Sequence, residues 1–350
     1  MILLEPPRLA RRAGLIYMGD DRPGVQRVRC GSGFRYRMPD GRFLARGDEH
    51  RAWIESLAIP PAWEGVWICP DRDGHLQATG RDARGRKQYR YHPAWMELRN
   101  RTKFDQLPSF AEALPRVRRR VSADLELPGL PARKVIACAI RLLDRTLIRV
   151  GNPEYARDNE TFGLTTLRHR HVAVAGRELL FRFRSKSGRE RELALDDPRA
   201  ARVVRRCQEL PNHELFSYLD AEGELHDLRS THVNEYLDEV AGEGVTAKDF
   251  RTWGGTVVAA ETLAGLGPLD ADSPARAARE LKRREIEAVR AAAGVLGNTV
   301  ATCRKYYVHP DLAPAHATGA LARSFEHART QRAPSGLRLP ERAVLDFLEG

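Results

Sequence analysis

The chain has 350 residues, 42% of them hydrophobic and 30% charged, with a formal charge of +11 at neutral pH. This length suggests two domains, and the composition suits a globular chain rather than a disordered one. No run of about 18 apolar residues occurs, so no membrane span is expected, and the excess of positive charge favours a polyanionic partner, most often nucleic acid.

The N-terminal segment lacks a secretory h-region with a small-residue cleavage site, so the cytoplasm is the expected compartment. Cys30, Cys69, Cys138, Cys207 and Cys303 lie far apart without a C-x-x-C pair, which points to reduced thiols. The eleven histidines show no H-E-x-x-H spacing. Neither a metal nor another cofactor is expected.

In chain order, the first 100 residues carry 18 Lys/Arg against 12 Asp/Glu, so positive charge is denser there than in the rest. Short runs with Tyr, Trp and Phe, broken by Asp-Gly turns, read as strands within 31–44 and 65–91. Residues 76–91 read as a hairpin around 82–85. The texture turns helical afterwards, which places a domain boundary near residue 93: a small β-rich domain over 1–93 and a mainly helical domain with a short β-sheet over 94–350. The fold class is α+β.

In the second domain, Ile136, Ile140, Leu143 and Leu147 share one face of a helix over 131–149, with Gly151 as its stop. Residues 171–175 and 179–183 read as two strands joined by a tight turn. Helices follow over 251–263, from Ser273-Pro274 to about Ala293 with Gly294 as the end, and over 299–307. Residues 329–341 are rich in Pro and Arg.

Common catalytic machines are absent. There is no G-x-x-x-x-G-K-[ST] phosphate loop, no G-x-S-x-G elbow, and no acidic cluster suited to two metals. What remains are polar residues in short basic segments: Arg149 at a helix end, Lys186 in a turn, Arg251 opening a helix, then Asn298 and the pair Tyr306-Tyr307. Singly they say little. An arginine at a helix end usually caps carbonyls, a turn lysine is usually solvated, and a helical tyrosine usually packs. Arg251 at the positive end of a helix dipole is unfavourable unless an anion is near. Tyr306 and Tyr307 point about 100° apart on a helix, and spacing alone does not choose between them.

Together and in order, these segments resemble the poxvirus-like and bacterial type IB DNA topoisomerases. Asn159-Glu160-Thr161-Phe162-Gly163-Leu164-Thr165-Thr166-Leu167 is similar to the segment between that family's first catalytic Arg and its Lys. Asp249-Phe250-Arg251-Thr252-Trp253-Gly254 resembles its second-Arg motif, and Cys303-Arg304-Lys305-Tyr306-Tyr307 its nucleophile motif. Residues 80–91 resemble its DNA-contacting hairpin. The resemblance spans roughly residues 30 to 312. It implies Tyr307 as nucleophile, Arg149, Lys186 and Arg251 as partners, and Asn298 at a fifth position where poxvirus enzymes carry His. It also implies DNA contacts from Arg81, Arg84, Lys87, Gln88, Tyr89 and Tyr91, and a monomer closed as a clamp on double-stranded DNA.

The chemistry fits those roles. Attack on a phosphodiester builds charge on the non-bridging oxygens, which two guanidiniums stabilise by forked hydrogen bonds. Asn298 adds a neutral donor. The 5′-oxygen leaves poorly without a proton, and Lys186 is the candidate able to give one. A free phenol ionises near pH 10, so ionisation at neutral pH costs about 4 kcal/mol unless cations offset it. Because the phosphotyrosyl ester keeps the bond energy, religation needs no ATP. Two rival readings stand beside this one: a tyrosine recombinase, which usually has H-x-x-R where this chain has Lys248-Asp249-Phe250-Arg251, and a non-catalytic DNA-binding protein.

Overall fold

A computed structural model describes residues 6–186, 188–269, 273–331 and 336–350, apart from the side chain of residue 155. The chain divides into two compact units, residues 1–103 and 104–350.

The first unit contains α1 (Pro6–Arg12), β1 (Val25–Cys30), β2 (Gly33–Arg37), α2 (Glu49–Ser56), β3 (Glu64–Ile68), β4 (Leu76–Arg81), β5 (Lys87–Tyr91) and α3 (Pro93–Thr102). Its strands form one antiparallel sheet in the order β2-β1-β3-β4-β5. Val25, Tyr36, Val66, Ile68 and Ala78 supply its buried face, and Ile54 of α2 packs onto them. Helix α2 forms because Asp48 caps it: the carboxylate accepts from the His50 amide at 2.8 Å. Helices α1 and α3 share a smaller cluster of Leu9, Ala10, Leu15 and Trp95. The 76–91 hairpin is found as expected. Asp82 organises its turn by accepting from the amides of Arg84 (2.9 Å) and Arg86 (3.1 Å), and Gly85 takes the positive φ of 74° that the turn requires. Helix α3 starts where the helical texture was expected to begin, but it belongs to the first unit, so the two units divide after residue 103 rather than near residue 93.

The second unit begins with α4 (Leu107–Asp124), α5 (Ala132–Thr146) and α6 (Pro153–Asn159). Two short 3₁₀ turns, Leu164–Thr166 and His169–His171, lead to the antiparallel strands β6 (Val172–Ala175), β7 (Glu178–Arg184) and β8 (Glu190–Asp196). Then come α7 (Pro198–Gln208), the small hairpin β9 (Ser217–Leu219) and β10 (Leu225–Asp227), α8 (Ser230–Ala241) and α9 (Ala247–Gly265). The chain continues through α10 (Pro274–Leu296), α11 (Val300–Tyr306), α12 (Leu312–Ala317), α13 (Ala320–Thr330) and α14 (Leu339–Glu349). One large apolar core runs through this unit. Helix α9 is its axis, burying Phe250, Trp253, Val257, Ala260 and Leu263. The mixture of helices with small antiparallel sheets is α+β, as read from the sequence. No helix among the described residues is long and apolar enough to cross a membrane.

Of the helix boundaries that differ from expectation, α11 stops at Tyr306 rather than reaching Tyr307, and three others have a visible reason. Helix α5 stops at Thr146, not at Gly151, because Leu147 adopts the left-handed conformation (φ 52°) and its amide closes the helix onto the Leu143 carbonyl at 2.9 Å. Arg149 therefore lies beyond the helix. Helix α9 starts at Ala247, so Arg251 does not open it. Asp249 turns back to Thr246, accepting from its amide and hydroxyl at 2.8 Å each, and this box starts the helix one turn earlier. Helix α10 passes Gly294 and ends at Leu296, with Gly297 (φ 62°) as its left-handed cap. Its start is as expected: the Ser273 hydroxyl accepts from the Arg276 amide and Pro274 follows. In the Pro- and Arg-rich stretch, residues 332–335 lie outside the described residues, and α14 already begins at Leu339.

Candidate active site

Four segments separated in sequence meet in the second unit. The first follows α5. Leu164 and Thr165 donate their amides to the carbonyls of Arg149 (2.8 Å) and Val150 (2.7 Å). This pairing needs two glycines. A Cβ on Gly163 would lie 2.6 Å from the Gly151 Cα and 2.7 Å from the Arg149 carbonyl oxygen, while Gly151 itself holds a φ of 109°. The Phe162 amide then donates to the Arg184 carbonyl at 2.8 Å, tying the same segment to β7. Lys186 sits in the turn from β7 to β8, exposed; Ser187 lies outside the described residues. The turn is closed by the Ser185 amide on the Arg189 carbonyl (2.8 Å) and by Gly188 at φ 71°.

Arg251 rises from the second turn of α9 and is only 3% exposed. One Nη donates to the Leu147 carbonyl and the other to the Leu296 carbonyl, the latter at 3.0 Å. Its guanidinium carbon stands 5.2 Å from the centre of the Tyr307 ring. Tyr307 is the residue after α11, with non-helical backbone (φ −137°, ψ −5°). It approaches α9 closely because position 255 has no side chain: a Cβ there would meet the Tyr307 carbonyl oxygen at 2.6 Å. Tyr306 ends α11, and its ring faces Lys305. Asn298 follows the glycine cap of α10, is 8% exposed, and its Oδ1 accepts from an Nη of Arg149.

Arg149, Lys186, Arg251 and Tyr307 line one cavity of about 340 Å³, together with Gly151, Gly163 and Lys248. Asn298 is not in its lining and joins it through Arg149. Among the described residues, none that lines the cavity is acidic. Burial and then the charge of Arg149 push the Arg251 guanidinium down to about 10, and burial lowers Arg149 as well. Both remain cations at neutral pH, crowded in a poorly solvated place where an anion would be strongly favoured. The buried Nε of Arg251 and Nδ2 of Asn298 have no hydrogen-bond partner among the described residues. The one carboxylate–imidazole cluster among those residues, Asp220, Glu224 and His226, belongs to the β9–β10 hairpin and does not line the cavity.

The sequence-derived candidates of the first unit all lie on the β4–β5 hairpin. Tyr89 and Tyr91 are exposed and stack with centroids 6.0 Å apart and planes 10° apart. Lys87 is engaged by Asp20 at 2.6 Å, and Gln88 donates to Asp82 at 3.0 Å, so Asp20, which the sequence did not single out, and Asp82 of the expected turn hold this strand's polar groups. Arg81 donates to the Gly85 carbonyl at 2.8 Å, and Arg84 stands in the turn.

Comparison with known proteins shows the family. Residues 92–316, well over half of the chain, match the family described as eukaryotic DNA topoisomerase I, catalytic core. Residues 33–82 match the bacterial DNA topoisomerase IB N-terminal domain. The chain belongs to the type IB DNA topoisomerase family. All five candidate residues of the second unit fall inside the catalytic-core match. A DNA topoisomerase 1B of Acanthamoeba polyphaga mimivirus is 28% identical over 290 residues, covering 81% of this chain and 85% of the viral protein. Topoisomerases of monkeypox virus and vaccinia virus are 22% identical over 176 residues, about half of each chain. As a type IB topoisomerase the chain is an enzyme, and its substrate is DNA.

Proposed function

We propose that Tyr307 attacks a phosphodiester of double-stranded DNA and becomes linked to the 3′-phosphate, while the 5′-hydroxyl strand leaves, swivels and returns. The observation that carries this reading is the convergence of Arg149, Lys186, Arg251 and Tyr307 on one cavity, with no acidic residue among the described residues that line it. In the forward step the Tyr307 Oη–P bond forms, the P–O5′ bond breaks, the phenol proton passes to water, and Lys186 protonates the departing O5′. Arg149 and Arg251 stabilise the non-bridging oxygens. The Asn298 amide, docked on Arg149, is a further donor. The reverse step uses the same groups, so neither ATP nor a metal enters. Tyr307 is favoured over Tyr306 because its ring, not its neighbour's, lies by Arg251.

The β4–β5 hairpin of the first unit supplies groove and phosphate contacts through Arg81, Arg84, Lys87, Gln88, Tyr89 and Tyr91 in this reading, and the two units close as a clamp on the duplex. One chain carries every reacting group, so a monomer acting on cytoplasmic, nucleoid DNA suffices. The test is relaxation of a supercoiled plasmid in EDTA without ATP, with trapping of covalent complexes. Tyr307→Phe should abolish both while DNA binding persists, and Tyr306→Phe should retain both. Covalent trapping by the Tyr307→Phe protein but not by Tyr306→Phe would reverse the assignment.

A further inference from the structure

Two of the proposed reacting groups hang from the ends of helices. Arg149 lies three residues past the last residue of α5, and Asn298 two residues past the last residue of α10. A helix C-terminus presents carbonyls without intrahelical partners and a partial negative charge, so two such ends brought together repel unless a cation lies between them. Arg191 lies between them. One Nη donates to the Thr146 carbonyl (3.0 Å) and the Val295 carbonyl (2.6 Å), and the other to the Leu296 carbonyl (2.9 Å). The first of these closes α5 and the other two close α10. The Leu296 carbonyl also accepts from Arg251, so the two guanidiniums meet on one oxygen. The fit is tight: a Cβ on Gly297 would come within 2.7 Å of an Arg191 Nη.

No carboxylate pairs with Arg191 among the described residues. Its neighbour Glu192 is committed to Arg182 on the other face of the sheet, at 2.9 Å. Arg191 belongs to β8, opposite Phe183, in the same hairpin that carries Lys186. Its forked planar head matches three carbonyls from two helices, which a lysine ammonium cannot span in the same way.

We infer that Arg191 is a positioning residue: by stapling the ends of α5 and α10 it fixes Arg149 and Asn298 against each other for the scissile phosphate. This rests on the reading of the site given above. The test is single-turnover cleavage of a duplex by the full chain, recording both rate constant and covalent-complex amplitude. Arg191→Met should cut the rate constant about 10²-fold through misplacement of the reacting groups, with amplitude and non-covalent affinity little changed. Arg191→Lys, which keeps the charge, should lie between the two. Adding Arg191→Met to Asn298→Ala should cost less than about threefold more, because both act through one contact. With sulfur in place of the bridging 5′-oxygen, Lys186→Ala should recover but Arg191→Met should not.

A purely structural role would lower the amplitude and leave the rate constant unchanged, and that result overturns the inference. So does recovery of Arg191→Met on the sulfur substrate, or full multiplication with Asn298→Ala. A parent enzyme that forms no covalent complex sinks the reading of the site itself, whereas an active parent with an equally active Arg191→Met sinks only this inference.

Discussion

Gly163 shows how narrowly single residues hold the site. The atoms that a Cβ there would strike are backbone atoms of Gly151 and Arg149, which cannot turn aside as a flexible side chain would. Gly163→Ala should therefore push the Arg149 strand away from the 163–165 segment and loosen its two hydrogen bonds. We expect a loss of roughly 1–3 kcal/mol in urea unfolding and about 10²-fold in the cleavage rate constant, with DNA binding retained. A Gly163→Ala enzyme within threefold of wild type would show that the close approach is not needed. The candidate residues of the site could be picked out in the sequence because segments 159–167, 249–254 and 303–307 together resemble one family in order and spacing. The supporting residues could not. Gly151 reads as a helix stop when its task is close approach to Gly163. Arg191 sits in Glu-Arg-Glu, which looks like a solvated strip until β8 is known to exist; its period-two partners Leu193 and Leu195 then place it on the inward face.

Elements were legible where local signals and the tertiary structure agree. The 131–149 periodicity gave most of α5, and Ser273-Pro274 gave the start of α10. Helix α14 was missed because its opening, Arg338-Leu339-Pro340-Glu341, looks like part of a Pro- and Arg-rich tract. What makes it dock is distant in sequence. Glu341 is fully buried and accepts from both Nη atoms of Arg118 at 2.8 Å, while Arg118 also grips Asp144 of α5 at 2.7 Å. Burial alone would raise the Glu341 carboxyl, but hydrogen bonds from Arg118 and Arg338 outweigh it and hold it at about 2. The folded value lies below the unfolded one, near 4.3. This contribution is therefore complete above about pH 4.3 and fades as pH falls towards 2. Glu341→Gln removes one partner of a buried pair and should cost about 3–5 kcal/mol at neutral pH. It should also flatten the loss of stability between pH 4.5 and 2. Urea titrations across that range decide the matter, and a variant within about 1 kcal/mol of wild type at pH 7 counts against this anchor.

At the scale of the whole molecule the governing quantity is charge. The net +11 is shared by both units: +8 arises in residues 1–103 and +3 in residues 104–350. A protein that neutralises Z phosphates of duplex DNA releases counterions, and its log affinity falls with log salt at a slope near −0.9Z. If the two units grip the duplex together and cover about six phosphates, the slope is about −5, and a fourfold rise in salt weakens non-covalent binding by roughly 10³. The sharing of that grip is testable with Tyr307→Phe as the background, so that no covalent complex interferes. Arg84, in the β4–β5 turn of the first unit, and Lys248, in the cavity lining of the second, are the positions to remove. Each, if it contacts a phosphate, should reduce the slope by about one when changed to Ala, and the double variant by about two. Lys248→Ala alone flattening the slope, with Arg84→Ala leaving it intact, would mean that the first unit's turn takes no part in the phosphate grip. An overall slope shallower than about −2 corresponds to only about two neutralised phosphates and counts against a grip of about six.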